Sequence, residues 1–282
     1  MWKPFTIEGR TLNSTIEVLH HAAQFVAMVG NSYLPKKPDD SQNNLYWNSQ
    51  TNHLEGRWLE NPMVRISFDV LDFDLIIDEE GNLEIIPLEG WTKDQVLANL
   101  IVTLTAAKLD ASKLHPISQF TIPKHSLDEG SSFVKPPREI LEECTRYWCN
   151  AQLMLAGIKS QYPLASEVRV WPHHFDIGLY IPVSRDANGN DIQSIGLGLA
   201  IADAYLSEPY FYINHWSKEE IVYPDPLPKM ASGRWNTKDW KGLVLPSSAV
   251  LSHSNQEKFT NSFFQDGLLT TKQLLNNKAT IN

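Results

Sequence analysis

The stretch Glu167-Val-Arg-Val-Trp-Pro-His-His-Phe-Asp-Ile-Gly-Leu-Tyr-Ile-Pro-Val183 is the densest run of strand-forming, aromatic and ionisable residues in the chain. Valine, isoleucine and aromatic residues fit a pleated, half-buried surface, so this stretch predicts one long β-strand. Side chains alternate across a strand, so odd- and even-numbered residues are expected on opposite faces. The odd face would hold Trp171, His173, Phe175, Ile177 and Leu179, and the even face His174, Asp176 and Tyr180. Pro172 suits an edge position or a bulge, which would exchange the two faces.

Helices and further strands are predicted on both sides of this stretch. Capping-box patterns at Ser14–Glu17, Thr92–Gln95 and Ser254–Glu257 each place the start of a helix. Alternating apolar residues predict strands, and turn residues join them into hairpins. The strands are expected at 64–77, 83–86, 114–123, 192–202 and 208–216, and a further helix at 138–156. The expected fold is α+β, with mainly antiparallel sheets and helices packed on one face.

The order of elements suggests two related halves and a possible internal duplication. Each half begins and ends with a helix and contains a Phe-Asp-aliphatic strand, Phe68-Asp69-Val70 in one and Phe175-Asp176-Ile177 in the other. Each strand is followed by a Gly-Asn turn. The polar linker at 124–132 then places a helix–sheet–helix half at residues 1–130 and a second at 131–282. We expect the two halves to pack into one compact body.

Composition and charge exclude several classes of partner. The chain has 282 residues and a formal net charge of -9, which argues against general binding to nucleic acid or anionic lipid. No apolar run approaches the ~20 residues that span a bilayer, and the N-terminus lacks a signal-peptide pattern. Cys144 and Cys149 lie five residues apart in a predicted helix, so they should remain free thiols. These features predict a cytoplasmic protein.

Three runs together resemble a bacterial protein family of unknown function. They are Val170–Tyr180, Ala204–Ile213 and Gly242–Pro246. In that family a strand with a Trp-Gly-Ser-Phe-Asp pattern precedes a Phe-Tyr-rich strand and an Ile-Leu-Pro strand. The resemblance follows the order of elements over roughly the whole chain, with Pro-His-His here in place of Trp-Gly-Ser. It implies a shared fold and carries no activity or cofactor.

One hypothesis for function is a metal-dependent enzyme. His174 and Asp176 would share a strand face, and with His215 they match the two-His-one-carboxylate pattern of non-haem iron sites. The first half argues against this, because Asp69 recurs at the matching position without an imidazole before it. A recurring aspartate is explained more simply by a structural bond to a turn or a backbone amide.

The main hypothesis is a small-molecule binding or interaction protein. Eight aromatic residues between Tyr205 and Trp240 could line a pocket for a planar or apolar ligand. The candidate ligand-binding residues are Trp171, His173, His174, Asp176, Tyr212, His215, Trp216 and Trp235. The same aromatics would equally form a core or the interface of a homo-oligomer. The run Gly196–Ile201 lacks the last small residue of a dinucleotide loop, so the sequence assigns no cofactor.

Overall fold

The computed structural model of the chain describes residues 1–276 and has an α+β fold. The α-helices are α1 (Asn13–Tyr33), α2 (Lys93–Ala106), α3 (Arg138–Lys159), α4 (Ser247–Leu251) and α5 (Gln256–Asn276). The first strands are β1 (Tyr46–Asn48), β2 (His53–Glu55), β3 (Leu59–Glu60), β4 (Met63–Asp69), β5 (Asp74–Glu79) and β6 (Asn82–Pro87). The later ones are β7 (Arg169–Trp171), β8 (Asp176–Arg185), β9 (Asp191–Ala200), β10 (Tyr210–Ser217), β11 (Arg234–Asn236) and β12 (Gly242–Pro246). Among residues 1–276, no helix has the length and hydropathy needed to cross a membrane.

The chain divides into two compact units, and each unit is made of more than one stretch of the sequence. The first, here called the α1 unit, consists of Leu12–Trp148 and Arg169–Asp176. The second, the α5 unit, consists of Met1–Thr11, Cys149–Val168 and the described residues from Ile177 on. The predicted linker at 124–132 lies inside the α1 unit.

The sheet of the α1 unit is antiparallel and has one apolar face. Its strands follow the order β1-β2-β4-β5-β6, with β3 paired to β4. The register places one set of side chains opposite each other on the buried face: Trp47, Leu54, Val64, Ile66, Phe68, Leu75, Ile77 and Ile86. Helix α1 contacts β2 and β4, and each large side chain buried there stabilises the fold by about 1.5–3 kcal/mol. The opposite face carries the ion pair between Arg65 and Glu55, and the exposed side chains of Leu83 and Ile85 also lie on it.

The sheet of the α5 unit is also antiparallel, and its strands run β11-β12-β10-β9-β8. One face buries Leu179, Leu197, Ile213 and Leu243 in register. Helix α5 contacts β10 and β12, and Gly267 brings its backbone close to Ile213 and Leu243. On the other face, a Cβ at Gly198 would lie 2.3 Å from the Ile177 carbonyl oxygen, so this glycine permits close strand packing.

The prediction of one strand over 167–183 is wrong. The strand breaks into β7 and β8, because residues 172–175 form a turn in which Phe175 has φ of 55°. The Phe175 N–H donates to the Trp171 carbonyl oxygen at 2.7 Å, which closes the turn. The predicted alternation therefore fails across the turn, although Phe175, Ile177 and Leu179 are all buried as expected.

The internal duplication is not confirmed. The strand order of the two sheets differs, and only the first is a simple meander. Phe68 lies within β4, opposite Leu54 and Leu75, whereas Phe175 lies in a turn. Phe73 lies in the turn between β4 and β5, has φ of 67° and, like Phe175, precedes an aspartate.

Local sequence signals vary in how well they place the helix ends. The capping box at Thr92 and Gln95 is confirmed, with both reciprocal hydrogen bonds formed. The one at Ser14 is wrong, because α1 begins at Asn13 without a side-chain cap. Segment 114–123, predicted as a strand, has no regular structure. The two cysteines of α3 are buried and form no disulfide among the described residues, and burial raises the pKa of the Cys144 thiol to about 12.

Candidate functional site

The predicted ligand-binding residues fall in two units. Trp171, His173, His174 and Asp176 belong to the α1 unit, and Tyr212, His215, Trp216 and Trp235 to the α5 unit. Within β10, Tyr212 and Trp216 lie on the face opposite to His215. His215 Nε2 is 2.7 Å from the Tyr223 hydroxyl, and burial lowers the pKa of His215. Trp235 Nε1 donates to the Pro228 carbonyl oxygen at 2.8 Å.

The residues that the structure describes contain no group of three histidine, cysteine, aspartate or glutamate side chains placed to hold a metal ion. His174 and Asp176 lie in the α1 unit and His215 lies in the α5 unit. The eight predicted residues therefore do not form one site within either unit.

A cavity with a volume of about 270 Å³ lies in the α1 unit. Helix α1, helix α2 and the irregular segment 116–122 form its walls. Most of the lining is apolar: Phe25, Met28, Leu97, Pro116, Ile117, Phe120 and Ile122. The polar lining residues are His21, Gln24, Lys93 and Asp94. An apolar chamber with a few polar groups is typical of small-molecule sites.

The polar end of the cavity is a chain of three ionisable side chains. The Lys93 ammonium donates to Asp128 Oδ1 at 2.5 Å and to His21 Nδ1 at 2.7 Å. The other ring nitrogen of His21 lies 3.1 Å from the Pro123 carbonyl oxygen. A carbonyl only accepts, so Nε2 carries the proton and Nδ1 accepts from Lys93. Both ring nitrogens of His21 are therefore engaged within the protein.

The pKa shifts agree with this arrangement. Burial, followed by the nearby Lys93 ammonium, lowers the pKa of His21 and favours the neutral ring. Burial alone would raise the pKa of Asp128, but hydrogen bonds from Lys93 and the His125 backbone N–H outweigh it. The net pKa of Asp128 is lowered, which favours the carboxylate. A neutral histidine thus lies beside an ammonium–carboxylate pair.

Lys93 keeps one donor for a ligand. An ammonium group has three N–H bonds, and two are assigned to Asp128 and His21. Among the described residues, no third hydrogen bond of this group is formed, and about a quarter of the side chain is exposed. The third N–H can therefore donate to a polar atom that enters the cavity.

Gln24 connects the cavity to the turn at 172–175. Its amide nitrogen donates to the carbonyl oxygens of Pro172 at 2.8 Å and His20 at 3.2 Å. This fixes the amide so that its oxygen remains as an acceptor beside the cavity. The predicted site residue His173 packs beside the cavity lining, because its ring lies 5.6 Å from that of the lining residue Phe120.

The sequence contained weak signals for this site. His20 and His21 stood out as adjacent histidines inside a helix, and Lys93 follows a capping threonine. A salt bridge from Lys93 to Asp128, 35 residues away, has no local pattern that would predict it. The apolar wall at 116–122 comes from a segment predicted as a strand.

The chain was also compared with family models, with curated proteins and with solved structures. None of these comparisons found a match. The arrangement of side chains in this cavity is therefore the basis for a functional hypothesis.

Proposed function

We propose that the protein binds a small, mostly apolar molecule of zero net charge in the cavity between α1 and α2. The observation that carries this proposal is the position of Lys93, whose third ammonium N–H lies at the polar end of an apolar chamber. The ligand would place a carbonyl or similar acceptor on that N–H. Its apolar body would contact Phe25, Leu97 and Phe120.

Charge balance argues for a neutral ligand. Lys93 is paired with Asp128, and Asp94 adds a second carboxylate at the exposed rim. A ligand carboxylate would lie near the carboxylates of Asp128 and Asp94 and near the single ammonium group of Lys93. A ligand ammonium placed at the polar end would be repelled by the Lys93 ammonium. An amide avoids both costs and can use the Gln24 oxygen as well.

Binding is favoured over acid–base catalysis at this site. A general base needs a nitrogen or oxygen within reach of the substrate proton. Both nitrogens of His21 are already bonded, to Lys93 and to the Pro123 carbonyl oxygen. The volume of about 270 Å³ lies close to the lower end of the usual range for ligand pockets, roughly 300 Å³, so the ligand would be compact.

We further propose that the protein acts in the cytoplasm. In the part of the chain that the structure describes, Cys144 and Cys149 are buried in α3 and form no disulfide. Persistent thiols are characteristic of reducing compartments. Cell fractionation tests this, and recovery of the protein from an oxidising compartment would contradict it.

A series of ligands with one tail and different polar groups tests the binding proposal. Hexanamide, hexanoate and hexylammonium share an alkyl chain and differ at the end that would meet Lys93. Binding is measured by ligand-observed NMR and calorimetry. We expect hexanamide to bind most tightly, and equal binding of all three would contradict the role of the polar end.

Three variants locate the binding. Leu97→Trp fills the cavity and should abolish hexanamide binding. Lys93→Met keeps the side-chain length but removes the donor, and should weaken binding about tenfold. Lys113→Met is the matched control, since Lys113 is exposed and lies outside the cavity. Unchanged binding by Leu97→Trp would place the ligand elsewhere and refute the proposal.

A further inference from the structure

A second cavity of the α1 unit has the opposite chemical character. It is an open groove of about 440 Å³ on the face of the sheet that carries Arg65 and Glu55. It is lined by residues from the segment between α1 and β1, from the strands β1, β2, β4 and β7, and from the loop after β2. Its basic residues are Lys37, Arg57, Arg65 and Arg169, and its aromatic ones are Tyr46 and Trp58. It shares no lining residue with the α1–α2 cavity.

The groove is positive although the chain is negative. Four basic side chains and a single carboxylate, Glu55, line it, which gives the lining a formal charge of +3. Asp78 lies 3.9 Å from Arg65 behind the lining, and counting it still leaves the groove positive. The whole chain has a formal charge of -9. A concentration of cations against that background attracts an anion to this one place.

Two arginines of the groove each pack against an aromatic ring. Arg65 lies over the Trp58 ring, with its Cζ 4.7 Å from the ring centroid. Arg169 lies over the Tyr46 ring at 5.5 Å. Both rings are more than a third exposed. A flat ligand can therefore contact a ring or a guanidinium plane while an arginine binds its anionic group.

The base of the groove is held firmly. Arg65 Nη1 donates to Glu55 Oε2 at 2.6 Å, and Glu55 also accepts from Asn48 Nδ2 at 2.8 Å. The Gly56 N–H donates to the Ile66 carbonyl oxygen at 2.8 Å. A Cβ at Gly56 would lie 3.0 Å from Val26, so the chain there is tightly packed. Pre-formed geometry reduces the entropy lost on binding.

We propose that this groove binds a small phosphorylated molecule that carries a planar ring, of the nucleotide class. Arginine matches phosphate by paired, charge-assisted hydrogen bonds, and Lys37 adds a mobile ammonium at the exposed edge. Exposed tryptophan and tyrosine stack with the flat face of a base. The ligand is a single small molecule, so the inference agrees with the predicted absence of nucleic-acid binding. It also goes beyond the proposed function, because the two sites differ in residues and in ligand charge.

Calorimetry with three probes tests this inference on the full chain. The probes are adenosine 5′-monophosphate, adenosine and inorganic phosphate. We expect the monophosphate to bind with one site per chain, and each of the other two at least about tenfold more weakly. Monophosphate affinity should also fall as salt concentration rises. Equal binding of monophosphate and inorganic phosphate would reduce the groove to an unspecific anion surface and overturn the inference, as would no binding.

Variants at exposed positions separate the two halves of the ligand. Lys37→Gln should weaken both the monophosphate and inorganic phosphate, whereas Trp58→Leu should weaken only the monophosphate, each by about tenfold. Lys113→Gln removes the same charge outside the groove and should leave both unchanged. Hexanamide binding reports on the other cavity and should be the same in all three variants. Monophosphate binding that neither Lys37→Gln nor Trp58→Leu alters would overturn the inference.

Discussion

Two turns of the α1 unit have the same backbone design and are stabilised by different parts of the chain. In one, the Phe73 N–H donates to the Asp69 carbonyl oxygen at 2.9 Å. In the other, the Phe175 N–H donates to the Trp171 carbonyl oxygen at 2.7 Å. Both phenylalanines have positive φ, both are fully buried, and each is followed by an aspartate that begins a strand.

The polar groups that hold the two turns differ. In the first turn, Asp69 Oδ1 accepts from the backbone N–H groups of Leu71 and Asp72, each at 2.9 Å. The second has Trp171 in place of that aspartate. Its Pro172 carbonyl oxygen instead accepts from His20 Nε2 at 2.7 Å and from the Gln24 amide at 2.8 Å. One turn is held by its own first residue, and the other by helix α1.

This difference matters because a residue that bonds the second turn, Gln24, also lines the α1–α2 cavity. Asp69 bonds only within its own turn and to His53 on the neighbouring strand β2. A change at the 172–175 turn can thus reach the cavity, whereas a change at the 70–73 turn stays local. The predictions that follow test this distinction.

The largest effect is expected from removing the phenylalanine of either turn. Phe73→Ala and Phe175→Ala should each lower the free energy of unfolding by about 3–5 kcal/mol, because each leaves a cavity in a packed aromatic cluster. Phe73 contacts Phe68 and Phe133, and Phe175 contacts Trp148 and stacks on His20. Urea unfolding measures the change. A loss below about 1 kcal/mol in one turn would show that the two are not equivalent in packing.

The second prediction concerns pH and the 172–175 turn. Burial lowers the pKa of His20 from 6.5 to about 4, because the charged ring is poorly solvated there. Between these values the unfolded chain binds more protons at this residue than the folded one, so stability falls as pH falls from 6.5 to 4. The loss should reach about 3 kcal/mol and level off below pH 4.

His20→Gln tests this pH dependence, since glutamine can donate to the Pro172 carbonyl oxygen without titrating. The difference in unfolding free energy between wild type and variant, followed from pH 7 to 4, isolates the contribution of His20. A difference that does not change over this range would contradict the assignment.

The third prediction concerns Asp69 and a more acidic window. Burial alone would raise the pKa of Asp69, but hydrogen bonds from His53 and from the N–H of Asp72 and Leu71 lower it overall. A lowered pKa makes a stability contribution that is present above pH 3.8 and is lost as pH falls further. Asp69→Asn retains an acceptor and should cost about 1 kcal/mol at pH 7.

Unfolding of Asp69→Asn followed from pH 7 to 2 checks this expectation. The unfolding free energies of wild type and variant should converge as the pH falls below 3.8. Asp74→Asn is the control, because the pKa of Asp74 is raised by its burial and its substitution should not reproduce the convergence. A difference in unfolding free energy that stays constant from pH 7 to 2 would show that the charge of Asp69 does not stabilise the 70–73 turn.

The two turns also show how far the sequence could predict the fold. The α+β class and the antiparallel hairpins follow from alternation and turn residues, which act over a few positions. A structural role for Asp69 was predicted from its recurrence without an imidazole before it, and the hydrogen bonds that its carboxylate accepts from the N–H groups of Leu71 and Asp72 agree with that role. These interactions are encoded within a few adjacent residues.

Long-range interactions account for what the sequence did not predict. The run 167–183 is rich in strand-forming residues, but it is broken at 172–175 by a turn whose Pro172 carbonyl oxygen accepts hydrogen bonds from His20 and Gln24, about 150 residues earlier. The polar end of the α1–α2 cavity is likewise formed by long-range hydrogen bonds, which Lys93 donates to His21 and Asp128. A hydrogen bond between distant residues can override the local preference for a strand, and the hydrophobic periodicity of the sequence does not predict such a bond.

The smallest effect is expected from Gln24→Met, which removes one of the two bonds to the Pro172 carbonyl oxygen. His20 still donates to that oxygen, so the cost should be about 1 kcal/mol. The effect should be local: hydrogen exchange at the Phe175 N–H should accelerate about fivefold, and exchange at the Phe73 N–H should not change. The same variant should weaken hexanamide binding, because Gln24 also lines the cavity. Equal acceleration at both phenylalanines would mean that the variant loosens the whole α1 unit and that the two turns are not stabilised independently.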